Sequence, residues 1–284
     1  MIRVVQTDLY AVIGHPVAHS LSPAMMNAAF ACLGHPAHYL ALEVDDLTAA
    51  LPLLADMGVR GLSVTLPHKE SACQLALKVD ETARSIGAVN TLQRMDDPVG
   101  WEGINTDWIG AVRALQQVTP LAGKRALVVG AGGSSRAVVY GLKRHEAVVT
   151  ITNRTQARGQ VLADAFGCEF LALSEVHQRS FDLLVQCTSV GLAGGEDAEV
   201  LPPSVFRPGT TAMDLVYQPL WTPFLVAARD AGCVAVSGLD MLLYQGVAQL
   251  EWWLQRPAPV TDMQDALLRA LNHKSLSTPV IGAS

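Results

Sequence analysis

The stretch Val128 to Ala137, VVGAGGSSRA, runs from a short apolar segment through glycines into residues with helical spacing. Gly130 permits a tight turn, Gly132 lets backbone amides approach a diphosphate, and a helix beginning near Ser134 would present the positive end of its dipole. The pattern departs from G-x-G-x-x-G because Ser135 holds the third glycine position. An ordinary strand-to-helix turn is the bland alternative, and the alternation of strand and helix signals on both sides weighs against it.

Working outward, RALVVG (125–130) is followed by further strand candidates AVVTIT (147–152), FDLLVQ (181–186), TAMDLV (211–216) and CVAVS (233–237), with helical patterns between them. Such separations suit right-handed parallel crossovers and a doubly wound sheet. At the end of the second of these strands, an enzyme that reads the free 2′-hydroxyl of NAD usually places a carboxylate. Here the chain reads Asn153-Arg154-Thr155, with Arg158 one turn further on. Guanidinium groups and a hydroxyl suit a 2′-phosphate, so the cofactor expected is NADP. The alternative is an i, i+4 arginine pair on a solvated helix face.

The first hundred residues show the same alternation: strands LYAVIG (9–14), HYLAL (38–42) and GLSVTL (61–66), with helices at 23–33 and 47–57 between them. AVNTLQR (88–94) and WEGIN (101–105) flank Asp96-Asp97-Pro98 and predict a hairpin closing the edge of the first sheet. Helical segments at 107–117, 240–254 and 261–272 complete the chain. The fold class expected is α/β in two domains: an N-terminal α/β substrate-binding domain (1–106, with 240–284 packing back on it) and a Rossmann-type NADP-binding domain (107–239).

The composition removes several function classes. Half of the 284 residues are hydrophobic and 16% are charged, which excludes a disordered chain. A net charge of −6 with no run of Lys and Arg argues against nucleic-acid binding. Residues 9–42 carry no Asp, Glu, Lys or Arg, but Pro16, Pro23 and Pro36 and four histidines interrupt them, so no membrane span is expected. Five cysteines without a CxxC pair and no secretory signal suggest reduced thiols in the cytoplasm. The histidine spacings His15/His19 and His35/His38 fall beside prolines, and no metal site is expected.

Several residues in the first half could carry chemistry. Ser22-Pro23 suits a helix N-cap followed by N1, whereas Ser20 has no such structural reason; two hydroxyls beside a helix start could hold a carboxylate. In Thr65-Leu66-Pro67-His68-Lys69, Pro67 predicts a helix start, which puts Lys69 in a first turn, where the macrodipole disfavours a cation. That suits a general acid or base better than a surface charge. Asp107, in GINTD, is a candidate carboxylate partner, with helix capping as its alternative, and Asn90 in GAVNT is a strand or turn amide.

Taken together, HSLSP, VTLPHK, GAVNT, GINTD, GAGGSSRA, NRT, TSVGL, Asp214-x-x-Tyr217, TPFL and GLDML-x-x-Q-G occur in that order between about Tyr10 and Leu254. The chain closely resembles the shikimate dehydrogenases, NADP-dependent enzymes of aromatic amino-acid biosynthesis. The resemblance implies that Ser20 and Ser22 hold the shikimate carboxylate with Tyr217 nearby, and that Thr65, Lys69, Asn90, Asp107 and Gln245 surround the ring hydroxyls. Lys69 and Asp107 correspond to the family's catalytic couple. Gly130, Ala131, Gly132, Gly133, Asn153, Arg154, Thr155 and Arg158 match the NADP loop and its 2′-phosphate clamp, and Thr188, Val190, Gly238 and Met241 match residues near the nicotinamide.

The activity implied is reversible reduction of 3-dehydroshikimate with NADPH, in a cleft between the domains at the C-terminal ends of the second sheet's strands. A small-molecule substrate is the expected partner and a homodimer the oligomeric candidate. Ser63, Gln186, Cys187 and Leu192 depart from the family pattern and are expected on the walls of that cleft. Rival readings are a quinate/shikimate dehydrogenase that also uses NAD, a catalytically silent NADP-binding sensor and, third, a methylene-folate dehydrogenase.

Overall fold

The computed structural model describes residues 7–96, 98–192 and 199–277, with side chains to residue 272. The chain forms two compact units: one comprises residues up to Ala83, Val89–Ile104 and the chain from Gly246 on, the other Arg84–Ala88 and Asn105–Gln245.

The first unit is built on a six-stranded mixed sheet of β1 (Asp8–Gly14), β2 (Ala37–Glu43), β3 (Val59–Val64), β4 (Lys78–Val79), β5 (Thr91–Asp96) and β6 (Val99–Ile104), in the order β2-β1-β3-β5-β6-β4. β1 runs parallel to β2 and β3, while β5 is antiparallel to both β3 and β6. The expected hairpin is therefore β5–β6, although Asp97 lies outside the described residues. It does not close the sheet: the two-residue strand β4 pairs parallel with β6 and forms the edge. α1 (Ser22–Cys32), α2 (Leu47–Asp56) and α3 (Lys69–Leu75) follow β1, β2 and β3. α2 begins where Asp46 accepts the amides of Thr48 and Ala49 at 2.9 and 3.3 Å, which satisfies two otherwise orphaned donors.

The second unit carries an all-parallel sheet of β7 (Arg125–Val129), β8 (Val148–Thr152), β9 (Glu169–Phe170), β10 (Leu183–Gln186), β11 (Thr211–Asp214) and β12 (Val234–Val236). Its order is β12-β11-β10-β7-β8-β9, the doubly wound arrangement with β7 at the centre. β7 and β10 carry the apolar runs ALVV and LLV because both faces of a parallel sheet are covered, and β8 adds two buried threonines to its apolar residues. After α4 (Glu81–Ile86), α5 (Asp107–Gln116) leads into this sheet; α6 (Gly133–Arg144) joins β7 to β8, and α7 (Gln156–Phe166) joins β8 to β9. α7 stops at Gly167, whose φ of +59° ends the helix in the left-handed region. α8 (Pro223–Asp230) precedes β12, and α9 (Gly238–Leu254) and α10 (Val260–Ser277) close the chain. No helix among the described residues is long and apolar enough to cross a membrane.

Candidate active site

In the first unit the residues of interest collect where β1 and β3 end. The Thr65 amide donates to the Ile13 carbonyl at 2.9 Å and the His15 amide to the Leu66 carbonyl at 2.8 Å, so the segments leaving the two strands stay side by side. α1 begins with Ser22 as its first residue and Leu21 as N-cap, without a capping side chain. The expected Ser22 cap is corrected. Ser20 Oγ accepts the Ser22 amide at 3.2 Å, so Ser20 serves the helix start and Ser22 is a buried first-turn hydroxyl.

Lys69 is the first residue of α3, as Pro67 predicts. The preceding His68 is buried, and its Nε2 lies 2.6 Å from the Val44 carbonyl oxygen, so that nitrogen carries the hydrogen and the turn from β3 is tied to the chain leaving β2. The Lys69 carbonyl accepts the Val89 amide at 2.9 Å, and the Asn90 carbonyl accepts the Val64 amide at 2.7 Å. Thr65, Lys69 and Asn90 thus share one end of the first sheet. Asn90 is buried, and its Oδ1 accepts the Thr91 hydroxyl at 2.8 Å.

In the second unit, Asp107 is the buried first residue of α5 and not its cap. Thr106 is the N-cap, without a capping side chain; before it, the Asn105 Oδ1 accepts the Asp107 amide at 3.0 Å while its Nδ2 donates to the Ala88 carbonyl at 2.8 Å. The capping alternative for Asp107 is therefore removed, and a carboxylate in the first turn is favoured by the helix dipole. One turn on, a Cβ at Gly110 would stand 2.7 Å from the Met241 carbonyl oxygen and 2.8 Å from Gln245 Cβ. This glycine lets α5 lie against α9, so Asp107 and Gln245 project from closely packed helices.

The remaining second-unit candidates follow the C-terminal ends of successive strands: Gly130 after β7, Asn153 after β8, Thr188 after β10, Tyr217 after β11 and Gly238 after β12. The switch point of the sheet falls at β7, which has β8 on one side and β10 on the other. Gly130 has φ +117°, and a Cβ there would sit 2.9 Å from Ser135 Oγ. Gly132 caps α6, and a Cβ on it would meet nothing within 4 Å. Open space beside the start of a twelve-residue helix, with the backbone bared by three glycines, fits a dinucleotide diphosphate. Ser135 is fully buried, with its Oγ unpartnered among the described residues, so the third glycine position has been filled at some cost in polar satisfaction.

Arg154, Thr155 and Arg158 are exposed, and Asn153 braces the turn by donating from Nδ2 to the Thr155 carbonyl at 2.8 Å. α7 begins at Gln156, so Arg154 precedes the helix and the two arginines are not an i, i+4 pair on its face. Arg154 follows the end of β8, and Arg158 lies in the first turn of α7. No carboxylate occupies 153–158.

Two departures from the family pattern are buried. Gln186 is fully buried: its Oε1 accepts the Thr188 amide and its Nε2 donates to the Val190 carbonyl at 3.0 Å, so it shapes the loop that carries both nicotinamide candidates. Ser63 is likewise buried inside the first unit. Asp214, which the sequence offered only as the first letter of a motif, is fully buried and clamps the loop bearing Tyr217 by accepting the Val216 amide at 2.9 Å and the Thr222 hydroxyl at 2.6 Å. Burial pushes its carboxyl up to about 6, against these two hydrogen bonds. Burial also raises the carboxyl of Asp240, in the first turn of α9 beside Met241. Among the described residues no cluster of three His, Cys, Asp or Glu side chains is placed to hold a metal ion.

Comparison with known proteins agrees along the chain. Residues 12–92 match the profile described as the shikimate dehydrogenase substrate binding domain, residues 113–193 that of shikimate/quinate 5-dehydrogenase, and residues 238–268 that of the shikimate 5′-dehydrogenase C-terminal domain. The chain is 55% identical over 281 residues to the NADP(+) shikimate dehydrogenase of Syntrophobacter fumaroxidans, covering 98% of this chain and 97% of that protein. The crystal structure of shikimate 5-dehydrogenase from Thermus thermophilus in complex with NADP(H) and shikimate superimposes with a TM-score of 0.85 at 39% identity, covering 93% of this chain and 100% of that one. Shikimate dehydrogenase from Aquifex aeolicus gives a TM-score of 0.87 at 36% identity, with 94% and 99% covered. With a match of this extent over nearly its whole length, the chain belongs to the shikimate dehydrogenase family.

Proposed function

We propose that this protein is an NADP-dependent oxidoreductase that interconverts 3-dehydroshikimate and shikimate. The observation that carries the reading is the ordered placement of the family's polar residues at the strand ends of both sheets, in a chain more than half identical to a relative named for that activity. NADPH, when bound, supplies the hydride that reduces the carbonyl carbon. The protein's task is to bind, orient and supply a proton to the oxygen that becomes a hydroxyl.

We assign that proton to Lys69, at the start of α3, with Asp107 holding the adjacent hydroxyl and orienting the lysine. Ser20, Ser22 and Tyr217 hold the carboxylate, and Thr65, Asn90 and Gln245 bind the ring hydroxyls. A dinucleotide fits the bared loop Gly130–Gly133, with Ala131 between the glycines. Asn153, Arg154, Thr155 and Arg158 receive the 2′-phosphate, and Thr188, Val190, Gly238 and Met241 adjoin the nicotinamide. The substrate-binding role falls to 1–106 with the closing helices, and the NADP-binding role to 107–239. We further assign the protein to the cytoplasm, with a homodimer as the oligomer to test.

The decisive assay follows absorbance at the nicotinamide band with shikimate or quinate and NADP or NAD in four parallel reactions. Activity confined to shikimate with NADP is expected. Comparable rates with quinate or NAD would move the protein to a broader-specificity activity, and silence in all four would leave a cofactor-binding sensor.

A further inference from the structure

The backbone of Asn90 is held by a chain of buried side chains from other elements of the first unit. Its carbonyl oxygen has two lone pairs: one accepts the Val64 amide at 2.7 Å, and the other the Nε2 of Gln249 at 3.3 Å. Gln249 lies on α9, 159 residues along the chain from Asn90. Its Oε1 accepts the hydroxyl of Ser63 on β3 at 2.6 Å, and Ser63 in turn accepts the hydroxyl of Tyr39 on β2 at 2.5 Å. All four residues are buried. One turn further along α9, Trp253 Nε1 donates to the carbonyl of Leu92 at 3.0 Å. Gln249 and Trp253 stand at i and i+4 and hold carbonyls at positions 90 and 92, which share one side of an extended segment.

The direction of this chain of bonds is fixed. Tyr39 donates, Ser63 accepts and donates, and Gln249 accepts with its oxygen, which turns its NH₂ group toward Asn90. Reversing any member would set two donors or two acceptors face to face in a dry interior. The Thr91 hydroxyl donates to the side-chain oxygen of the same Asn90. The short Ser63 hydroxyl leaves room for the tyrosine and the glutamine to meet across it.

We propose that Tyr39, Ser63 and Gln249 form a one-way hydrogen-bond relay that positions Asn90 for the substrate hydroxyl, which makes Gln249 a positioning residue for the reaction. This rests on the role assigned to Asn90 in the proposed activity. The test uses Gln249→Met, which keeps length and volume, with Ser63→Ala and Tyr39→Phe. Steady-state kinetics in shikimate and in NADP are measured together with amide hydrogen exchange of the segment 88–92.

Gln249→Met should raise the KM for shikimate about fivefold to tenfold, the worth of one net buried hydrogen bond. The KM for NADP should stay within about twofold, and the segment should exchange faster. Tyr39→Phe should do the same to a smaller degree, because the two bonds nearest Asn90 remain. A shikimate KM within about twofold of the parent with unchanged exchange overturns the relay, and so does an equal rise in both KM values, which marks a merely structural role. If Gln249→Met does not fold, Ser63→Ala cuts the relay at its middle and is judged by the same criteria. If the parent protein does not oxidise shikimate, the activity fails, and the relay stands or falls on the exchange of 88–92 alone.

Discussion

The Asp214 carboxylate accepts the Thr222 hydroxyl at 2.6 Å, and Thr222 accepts the Leu225 amide at 3.2 Å, so a single buried acid links the end of β11 to the start of α8 across the loop that carries Tyr217. The folded protein holds the Asp214 proton up to about pH 6, against 3.8 for the ordinary group. Between those values the folded state binds more protons than the unfolded chain, so this group's contribution is complete below about pH 4 and is lost as the pH rises through 6. Asp214→Asn should gain stability relative to the parent by on the order of 3 kcal/mol between pH 4 and pH 7. Thermal unfolding of both proteins across that range checks it, and parallel curves would refute it.

Arg154 and Arg158 should separate the two nicotinamide cofactors. Each charge-assisted contact to a phosphate is worth about 1.5–3 kcal/mol, so Arg154→Ser should raise the KM for NADP roughly tenfold to a hundredfold. The KM for NAD should change by no more than about twofold, and Arg154→Ser/Arg158→Ser should bring the two cofactors close together. Equal losses with NADP and NAD would place the arginines outside the phosphate clamp.

Lys69→Ala should lower turnover by roughly two to four orders of magnitude while changing the KM for shikimate much less, because a proton donor acts chiefly in the transition state. Asp107→Asn keeps shape and hydrogen bonding and should give a smaller loss of turnover. Pre-steady-state and steady-state rates with saturating NADP measure both, and unaltered turnover in Lys69→Ala would remove that residue from the mechanism.

Gly130 and Ser135 should respond in opposite directions. Ser135→Ala removes a buried hydroxyl with no partner among the described residues and should raise stability by up to about 1 kcal/mol. Gly130→Ala forces a Cβ into a backbone with φ +117° and to 2.9 Å from Ser135 Oγ, and should cost about 1–3 kcal/mol together with most of the NADP affinity. The combined variant should lose less than the sum, since Ser135 Oγ is the atom that the new methyl group meets first. Chemical denaturation and NADPH fluorescence titration read the two effects.

The strands β1 and β7 were legible because a buried parallel strand is a short, nearly continuous apolar run, and the loop from Gly130 was legible because glycines interrupt that run where a helix begins. β4 and β9 were not, since two residues carry no period. Lys69 could be placed because Pro67 announces the helix two residues ahead. Ser22 fell in the first turn instead of the cap because the helix starts one residue earlier than Pro23 suggests, and the Ser20 hydroxyl meets its amide. The supporting residues His68, Gln186, Asp214 and Gln249 escaped for a different reason. Their importance lies in which carbonyl, amide or hydroxyl they meet, and for Ser63 and Gln249 those partners are 186 residues apart. A residue type alone does not disclose a partner at that distance.

The anchoring of the first sheet by α9 also sets a timetable. Trp253 lies over Tyr10 with ring centroids 5.1 Å apart and would touch any side chain placed at Gly61, so this part of the sheet is finished only when residue 253 arrives. Leu92 precedes Trp253 by 161 residues, which at about 5–20 residues per second is roughly 8–30 s of ribosomal synthesis. The strands translated first are among the last to be roofed, whereas the six strands of the parallel sheet all emerge within that interval. A nascent chain therefore carries this part of the first sheet uncovered throughout that interval.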